Sequence, residues 1–263
     1  MSLLTAPLHA LLGLALPARC PACGTVVGTD GTFCPDCWAQ LDFLSGPGCA
    51  GCGLPFAFDR GPDVRCAACL ADPPAHDGVR AAVRYGAVAR SLILRLKHGR
   101  RIALARVIAR QLRRLAADLP DALIVPVPLH RWRLWRRGFN QSALIGRALA
   151  RATGLDWCPH ALVRQRRTPM LGGLGRTARA RALRGAFAVP SEQRAALAGR
   201  TILLVDDVYT SGATAGGCAR ALKRAGAARV IVLCWARVLD PELDGERVFG
   251  NGRNGGEKSR GEG

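Results

Sequence analysis

Thr201-Ile-Leu-Leu-Val-Asp-Asp-Val-Tyr-Thr-Ser-Gly-Ala-Thr214 joins an apolar run, two adjacent acids and a small hydroxyl-rich stretch without a break. Residues 202–205 are wholly apolar and two of them are β-branched, with Gly199 before and a turn expected after. That composition predicts an interior strand of a parallel sheet, covered on both faces. Asp206 and Asp207 then stand at the carboxyl end of the strand, where open α/β sheets bind ligands. Thr210, Ser211, Gly212, Ala213 and Thr214 open a helix expected to continue through Leu222. The free N–H groups and partial positive charge of a helix N-terminus suit a phosphate. Gly212 lets the backbone approach an anion closely, and the hydroxyls add donors.

Two carboxylates beside a phosphate site would repel the ligand unless they served another part of it. A ribose 5-phosphate resolves the conflict, because its diol donates to the carboxylates while its phosphate lies in the loop. The segment resembles the phosphoribosyl-pyrophosphate (PRPP) motif of type I phosphoribosyltransferases throughout its length. The competing reading is a strand that ends in a solvated Asp-Asp turn.

At 263 residues the chain has room for one α/β unit and a small module. No window is apolar over a membrane-spanning length. Residues 3–16 are apolar, but no Lys or Arg precedes them, so they read as a short packed helix rather than a signal peptide. The net charge of +19 is uneven. Residues 80–184 hold 24 basic and 3 acidic side chains, a net +21, which suits pyrophosphate or a nucleic-acid backbone. Arginine dominates, and Lys97, Lys223 and Lys258 are the only lysines. A compositional preference for Arg explains Arg over Lys but not the scarcity of acids.

Eight of the eleven cysteines form Cys-x-x-Cys pairs: Cys20/Cys23, Cys34/Cys37, Cys49/Cys52 and Cys66/Cys69. Such a knuckle sets two thiolates on one side of a tight turn, and two knuckles complete a tetrahedral Zn²⁺ site. Few large apolar residues lie nearby, so metal must substitute for a core. One or two structural zinc ions are expected, with sequential pairing of knuckles or a cross-braced alternative. A disulfide-stapled module is the rival reading. Cys218 and Cys234 read as small core residues.

A turn-rich linker at 72–78 precedes a strand at 79–85, a helix at 87–97 broken by Gly99, and a second helix at 102–117. In that second helix Arg106, Arg110, Arg113 and Arg114 oppose the apolar face. A strand at 122–127 runs into Pro126-Val-Pro128-Leu-His130 and then Arg131-Trp-Arg-Leu-Trp-Arg-Arg137-Gly-Phe-Asn-Gln141. A cation-rich loop at a strand's carboxyl end is placed to hold pyrophosphate, through Val127, Pro128 and Arg137. Trp132 and Trp135 are expected to pack that loop down, with base stacking as the alternative. A helix follows at 140–151. The glycines and arginines of 169–184, Arg176 among them, suit a lid over an anionic ligand. A short strand is expected at 185–189 and a last parallel strand at 230–235. His98 and His130 are lone histidines, read as structural or solvated.

Taken together, the four knuckles, Tyr85, Lys97, Pro126-Val-Pro128-Leu, Arg137-Gly-Phe-Asn-Gln141, Arg176, Gly185-Ala-Phe187 and the 201–214 motif resemble the ComF family over about residues 15–240. The resemblance implies a double zinc ribbon at 20–72 and a mostly parallel α/β sheet of the type I phosphoribosyltransferase kind at 79–239, flanked by the short helix read at 1–19 and by a polar, Gly-rich tail at 240–263 expected to be disordered. It implies a bacterial cytoplasmic protein, with some members needed for handling incoming single-stranded DNA in natural transformation. Leu171 and Ala182 stand where the family often has Gln and Asn. Thr210 stands where hypoxanthine-type enzymes place a base-contacting Asp, which disfavours that reaction. The expected ligand is PRPP with Mg²⁺. Asp206 and Asp207 would take the ribose hydroxyls, residues 210–214 the 5-phosphate, and Arg137 and Arg176 the pyrophosphate. Three functions remain open: a PRPP-binding protein that assists single-stranded DNA handling, an active transferase of unknown acceptor, and a zinc-ribbon scaffold that docks a helicase or DNA-uptake partner.

Overall fold

A computed structural model of the chain describes residues 17–98, 101–166 and 181–239. The helix expected before residue 17, the lid with Arg176, and the tail beyond 239 lie outside the described residues. Five parallel strands, β1 (Val79–Arg84), β2 (Leu123–Pro126), β3 (Asp156–Trp157), β6 (Thr201–Tyr209) and β7 (Arg229–Arg237), form a sheet in the order β1-β7-β6-β2-β3. A small antiparallel pair, β4 (Val163–Arg164) and β5 (Phe187–Ala188), stands apart. The fold is the mostly parallel α/β architecture expected.

Burial of β6 on both faces follows from its sequence. Leu203 and Val205 face one core, shared with the helices α3 (Ala87–His98), α4 (Leu104–Leu112) and α6 (Gln141–Thr153). Ile202 and Leu204 face the other, shared with β5 and the helix α8 (Ala213–Arg224). A two-residue period therefore supplies both layers from one continuous apolar run. Helix α4 is shorter than expected, because residues 113–116 tighten into a 3₁₀ turn.

The strand order also fixes where a crevice opens. From β2 the chain moves outward to β3, and from β6 it moves the other way to β7. The connecting helices α6 and α8 pack on opposite faces. Neighbouring strands whose connections part in this way leave a gap beyond their carboxyl ends. The segments after β2 and after β6 flank it.

The cysteine-rich module, with its two short helices α1 (Pro35–Ala39) and α2 (Ala67–Ala71), meets this sheet along residues 42–44 and at Cys52. Cys20, Cys34, Cys37 and Leu41 share a core with α3 and α4. Along the edge strand β1, Leu44 N–H donates to the Ala82 carbonyl at 3.0 Å and Arg84 N–H to the Asp42 carbonyl at 2.7 Å. The module thus covers an edge that would otherwise offer unpaired backbone groups. No described helix is long and apolar enough to cross a membrane.

Gly146 lies inside α6 where a Cβ would come within 2.5 Å of the Trp157 ring. Gly→Ala in a helix interior ordinarily gains about 1 kcal/mol. Here the sign reverses: Gly146→Ala is expected to lower stability in urea unfolding by about 1–2 kcal/mol, through overpacking against β3.

Candidate ligand crevice and cysteine clusters

Strand β6 does not stop before the acid pair, as the sequence led one to expect. It runs through both acids to Tyr209, held by β7 on one side as far as Tyr209–Arg237 register. The carboxylates therefore sit on rigid backbone rather than in a turn. Asp207 is 5% exposed, and Lys97 Nζ, from the last turn of α3, lies 2.6 Å from its Oδ2. Asp206 Oδ1 accepts from Ser142 Oγ at 3.0 Å and from the Asp207 N–H at 2.9 Å. Burial, and then the neighbouring Asp207 charge, push the Asp206 carboxyl up to about 7, with Lys97 and Ser142 pulling the other way.

Cations converge on this pair. Helix α5 (Arg131–Arg137) occupies the stretch read as a loop, capped by His130 Nδ1 accepting from Trp132 N–H at 3.3 Å and ended by Gly138 at φ 83°. Arg137, at its end, donates to Gln141 Oε1 at 2.5 Å. Burial holds the Arg137 guanidinium below its ordinary value, with Arg133 pushing the same way and Asp207 opposing. Arg164, on β4, is likewise lowered by burial and by Arg133, while Asp206 draws it up. Its guanidinium lies 5.4 Å over the Phe187 ring. Lys97 touches one carboxylate, Arg137 and Arg164 lie within electrostatic reach of the pair, and Arg133 lies near both arginines, an arrangement that offers positive charge to a polyanion and acceptors to its hydroxyls.

The segment after β2 contributes shape more than donors. Val127 N–H is used on the Val205 carbonyl at 2.9 Å, and the Val127 carbonyl accepts from Asn140 Nδ2 at 3.0 Å. Pro128 has no N–H, and no described peptide bond is cis. Asn140 also caps α6 by accepting from Ser142 N–H at 3.0 Å, which aims Ser142 at Asp206. The expectation that Trp132 and Trp135 pack the loop down is overturned. No residue of α5 is buried, and Trp135 is 82% exposed. Seven residues with four arginines cannot turn an apolar face inward without burying guanidinium groups as well.

After β6, Thr210 is exposed and Ser211, Gly212, Ala213 and Thr214 are half-buried. Gly212 has φ 73° at the N-terminus of α8, where no side chain caps the helix. A Cβ there would also collide with the Tyr209 ring. Tyr209 is itself held: its hydroxyl is 3.2 Å from His76 Nε2, and the Arg237 guanidinium lies 6.0 Å over its ring. Arg237 is 2% exposed and reaches the cysteine module, donating from Nε to the Cys52 carbonyl at 2.9 Å and from Nη2 to Cys52 Sγ at 3.4 Å.

Sequence reasoning missed roles for Lys97, Ser142, Arg133 and Arg164. A signal for Lys97 existed, since it is the one lysine among 24 basic residues at 80–184. Ser142 and Arg164 gave none, because only the tertiary fold brings them to β6.

The eight knuckle cysteines gather as Cys20, Cys23, Cys34 and Cys37, and as Cys49, Cys52, Cys66 and Cys69, with ligand atoms within 4.8 Å of one another in each set. That is the sequential pairing rather than the cross-braced one. The Sγ–Sγ distances of 3.6 Å for Cys23–Cys34 and 3.7 Å for Cys52–Cys66 match the edge of about 3.8 Å that a tetrahedron with Zn–S near 2.3 Å requires. Hydrogen bonds from Cys52 and Cys69 hold the Cys49 thiol far below its ordinary range, while the Cys69 thiol is driven up. Four sulfurs held this close repel one another as thiolates unless a divalent cation sits among them. All four positions in each set are filled by sulfur, so the sites suit structure, not catalysis. Cys218 and Cys234 are buried core residues as expected.

Residues 11–70 match a family model described as a double zinc ribbon domain. The DNA utilization protein YhgH of Escherichia coli (strain K12) is 35% identical over 228 residues, 84% of this chain and 90% of that protein. Competence protein F of Haemophilus influenzae is 29% identical over 228 residues, 83% of this chain and 96% of that one. Among solved structures, a glutamine PRPP amidotransferase from B. subtilis complexed with ADP and GMP is similar over 49% of this chain and 26% of its own, at 18% identity and a TM-score of 0.34. The phosphoribosylpyrophosphate synthetase from Mycobacterium smegmatis is similar over 52% and 34%, at 17% identity and a TM-score of 0.32. Both structural likenesses are too partial to add weight.

Elemental analysis of the purified chain is expected to find two zinc ions, and Cys34→Ser to leave one, with a lower melting temperature. A carboxyl with a raised folded pKa binds its proton more readily in the native state, so stability falls as the pH rises from about 4 to about 7. Asp206→Asn keeps the oxygen that accepts from Ser142 and Asp207. It is expected to raise the melting temperature by about 3–8 °C at pH 8, with the gain gone near pH 4.

Proposed function

The chain belongs to the ComF family, and on that premise we propose that it binds PRPP with Mg²⁺ in the crevice between β2 and β6 and assists the handling of single-stranded DNA in the cytoplasm. The observation that carries the ligand is the sequence of contacts along β6: a fixed acid pair, then a hydroxyl-bearing turn into an uncapped helix, with four cations opposite. Asp206 and Asp207 accept from the ribose hydroxyls. The turn at 210–214 takes the 5-phosphate, with Gly212 letting the backbone come close. Lys97, Arg133, Arg137 and Arg164 take the pyrophosphate, and Arg176 is proposed to join them. Mg²⁺ suits the carboxylate oxygens and, when bound, neutralises the diphosphate.

With a pKa near neutrality, Asp206 is able to keep a proton, and Asp207 is ion-paired with Lys97. The pair then presents less negative charge to an incoming polyanion than two free carboxylates would. The DNA half of the reading draws on the names of the relatives and on the net +21 of residues 80–184. The cation cluster also favours a second reading, an active transferase. In that case the C1–O bond to pyrophosphate breaks, C1 joins an acceptor nucleophile, and the cations stabilise the departing charge.

Calorimetry with PRPP and Mg²⁺ tests the core of this. The wild type is expected to bind, and Asp206→Asn with Asp207→Asn to weaken binding by more than about tenfold. No heat from the wild type would sink the ligand. Pyrophosphate release on adding nucleobase acceptors would mark the transferase.

A further inference from the structure

Helix α5 faces two ways. Arg133 and Arg137 are half-buried on the crevice side, where Arg137 feels the Asp207 charge and Arg133 lies near Arg164. The rest of the helix is exposed. With 3.6 residues per turn, the outward arc runs Leu134, Arg131, Trp135, Trp132, Arg136. Two indoles therefore lie side by side between two guanidinium groups, and the Arg136 guanidinium sits 5.7 Å over the Trp132 ring. Exposed tryptophans are costly to leave in water, and here two share one short helix that buries nothing. No acidic residue lies between Asp121 and Asp156.

We infer that the outer face of α5 is a stacking platform for single-stranded nucleic acid, with Trp135 and Trp132 taking bases and Arg131 and Arg136 taking phosphates. The inference rests on the DNA-handling half of the proposed function and gives that half a site. Indole faces accept any base, and interleaved cations hold the backbone, which is the chemistry of sequence-tolerant single-strand binding. Another concentration of arginines among the described residues is a cleft of about 470 Å³ between α4 and α6, lined by Arg106, Arg110, Arg147 and Arg151 with an alanine floor. It has no aromatic lining residue and offers phosphate contacts without stacking. An anionic membrane would also accept Arg and Trp, but an interfacial helix needs a broader apolar face than two indoles and one leucine provide.

Anisotropy of labelled oligothymidylate, with an oligouridylate arm to separate DNA from RNA, tests this. Trp132→Ala with Trp135→Ala is expected to weaken binding by about tenfold or more. Trp→Phe at both positions retains most of the binding and Trp→Leu does not, a contrast that apolar packing alone would not produce. Arg131→Gln with Arg136→Gln is expected to reduce the salt slope by about 1.4. Because α5 buries none of these side chains, the variants stay folded, and PRPP calorimetry on Trp135→Ala checks this by matching the wild type. Wild-type binding that the double alanine variant keeps would overturn the platform and leave DNA handling standing. No binding by the wild type would overturn both. Tryptophan-dependent capture by phosphatidylglycerol vesicles, without oligonucleotide binding, would replace the platform with a membrane contact.

Discussion

Two carboxylates on consecutive residues of a strand cannot both ionise cheaply where the strand is buried. At Asp206 and Asp207 the cost is met by a lysine from α3, a serine from the first turn of α6, and arginines from α5 and β4. The lysine, the serine and the arginines arrive from four different elements. The acid pair thus acts as the point on which the tertiary arrangement converges. Removing the compensating groups would leave charge stranded in a poorly solvated place.

The compensation is also what makes the crevice chemically versatile. A carboxyl poised near neutrality beside an ion-paired one accepts hydroxyl donors without presenting a full double charge. The neighbouring turn brings amide groups with no side-chain competitor, since Gly212 caps nothing. Acceptors and donors are segregated along a single strand-to-helix passage, and that segregation matches a ligand with hydroxyls at one end and phosphate at the other.

Much of this was legible in the chain. The apolar run at 202–205 announced the central strand, the knuckle spacings announced one or two four-thiol zinc sites with their pairing left open, and Gly212 announced a close backbone approach at the start of a helix. Two things were not legible, for physical reasons. Strand β6 continues past its acids because β7 pairs with it as far as Tyr209, and pairing partners distant in sequence leave no local mark. The fate of Trp132 and Trp135 was misjudged because indoles ordinarily seek a core. Here the arginines at 133 and 137 claim the inward side for electrostatic reasons, and the rings are turned out by default. Lys97 was visible as an oddity, but its role needed the geometry of α3.

The contact of Arg237 with Cys52 ties the sheet to the cysteine module by more than adjacency. One guanidinium steadies a thiolate-rich cluster on one side and the ring beneath the ligand turn on the other. An isolated sheet would keep that cation in its interior after losing Cys52 as acceptor, and β1 would lose its cover. The two halves are therefore not exchangeable parts: a cysteine-rich cap and a crevice-bearing sheet joined by such a shared bolt depend on each other to keep one buried cation satisfied.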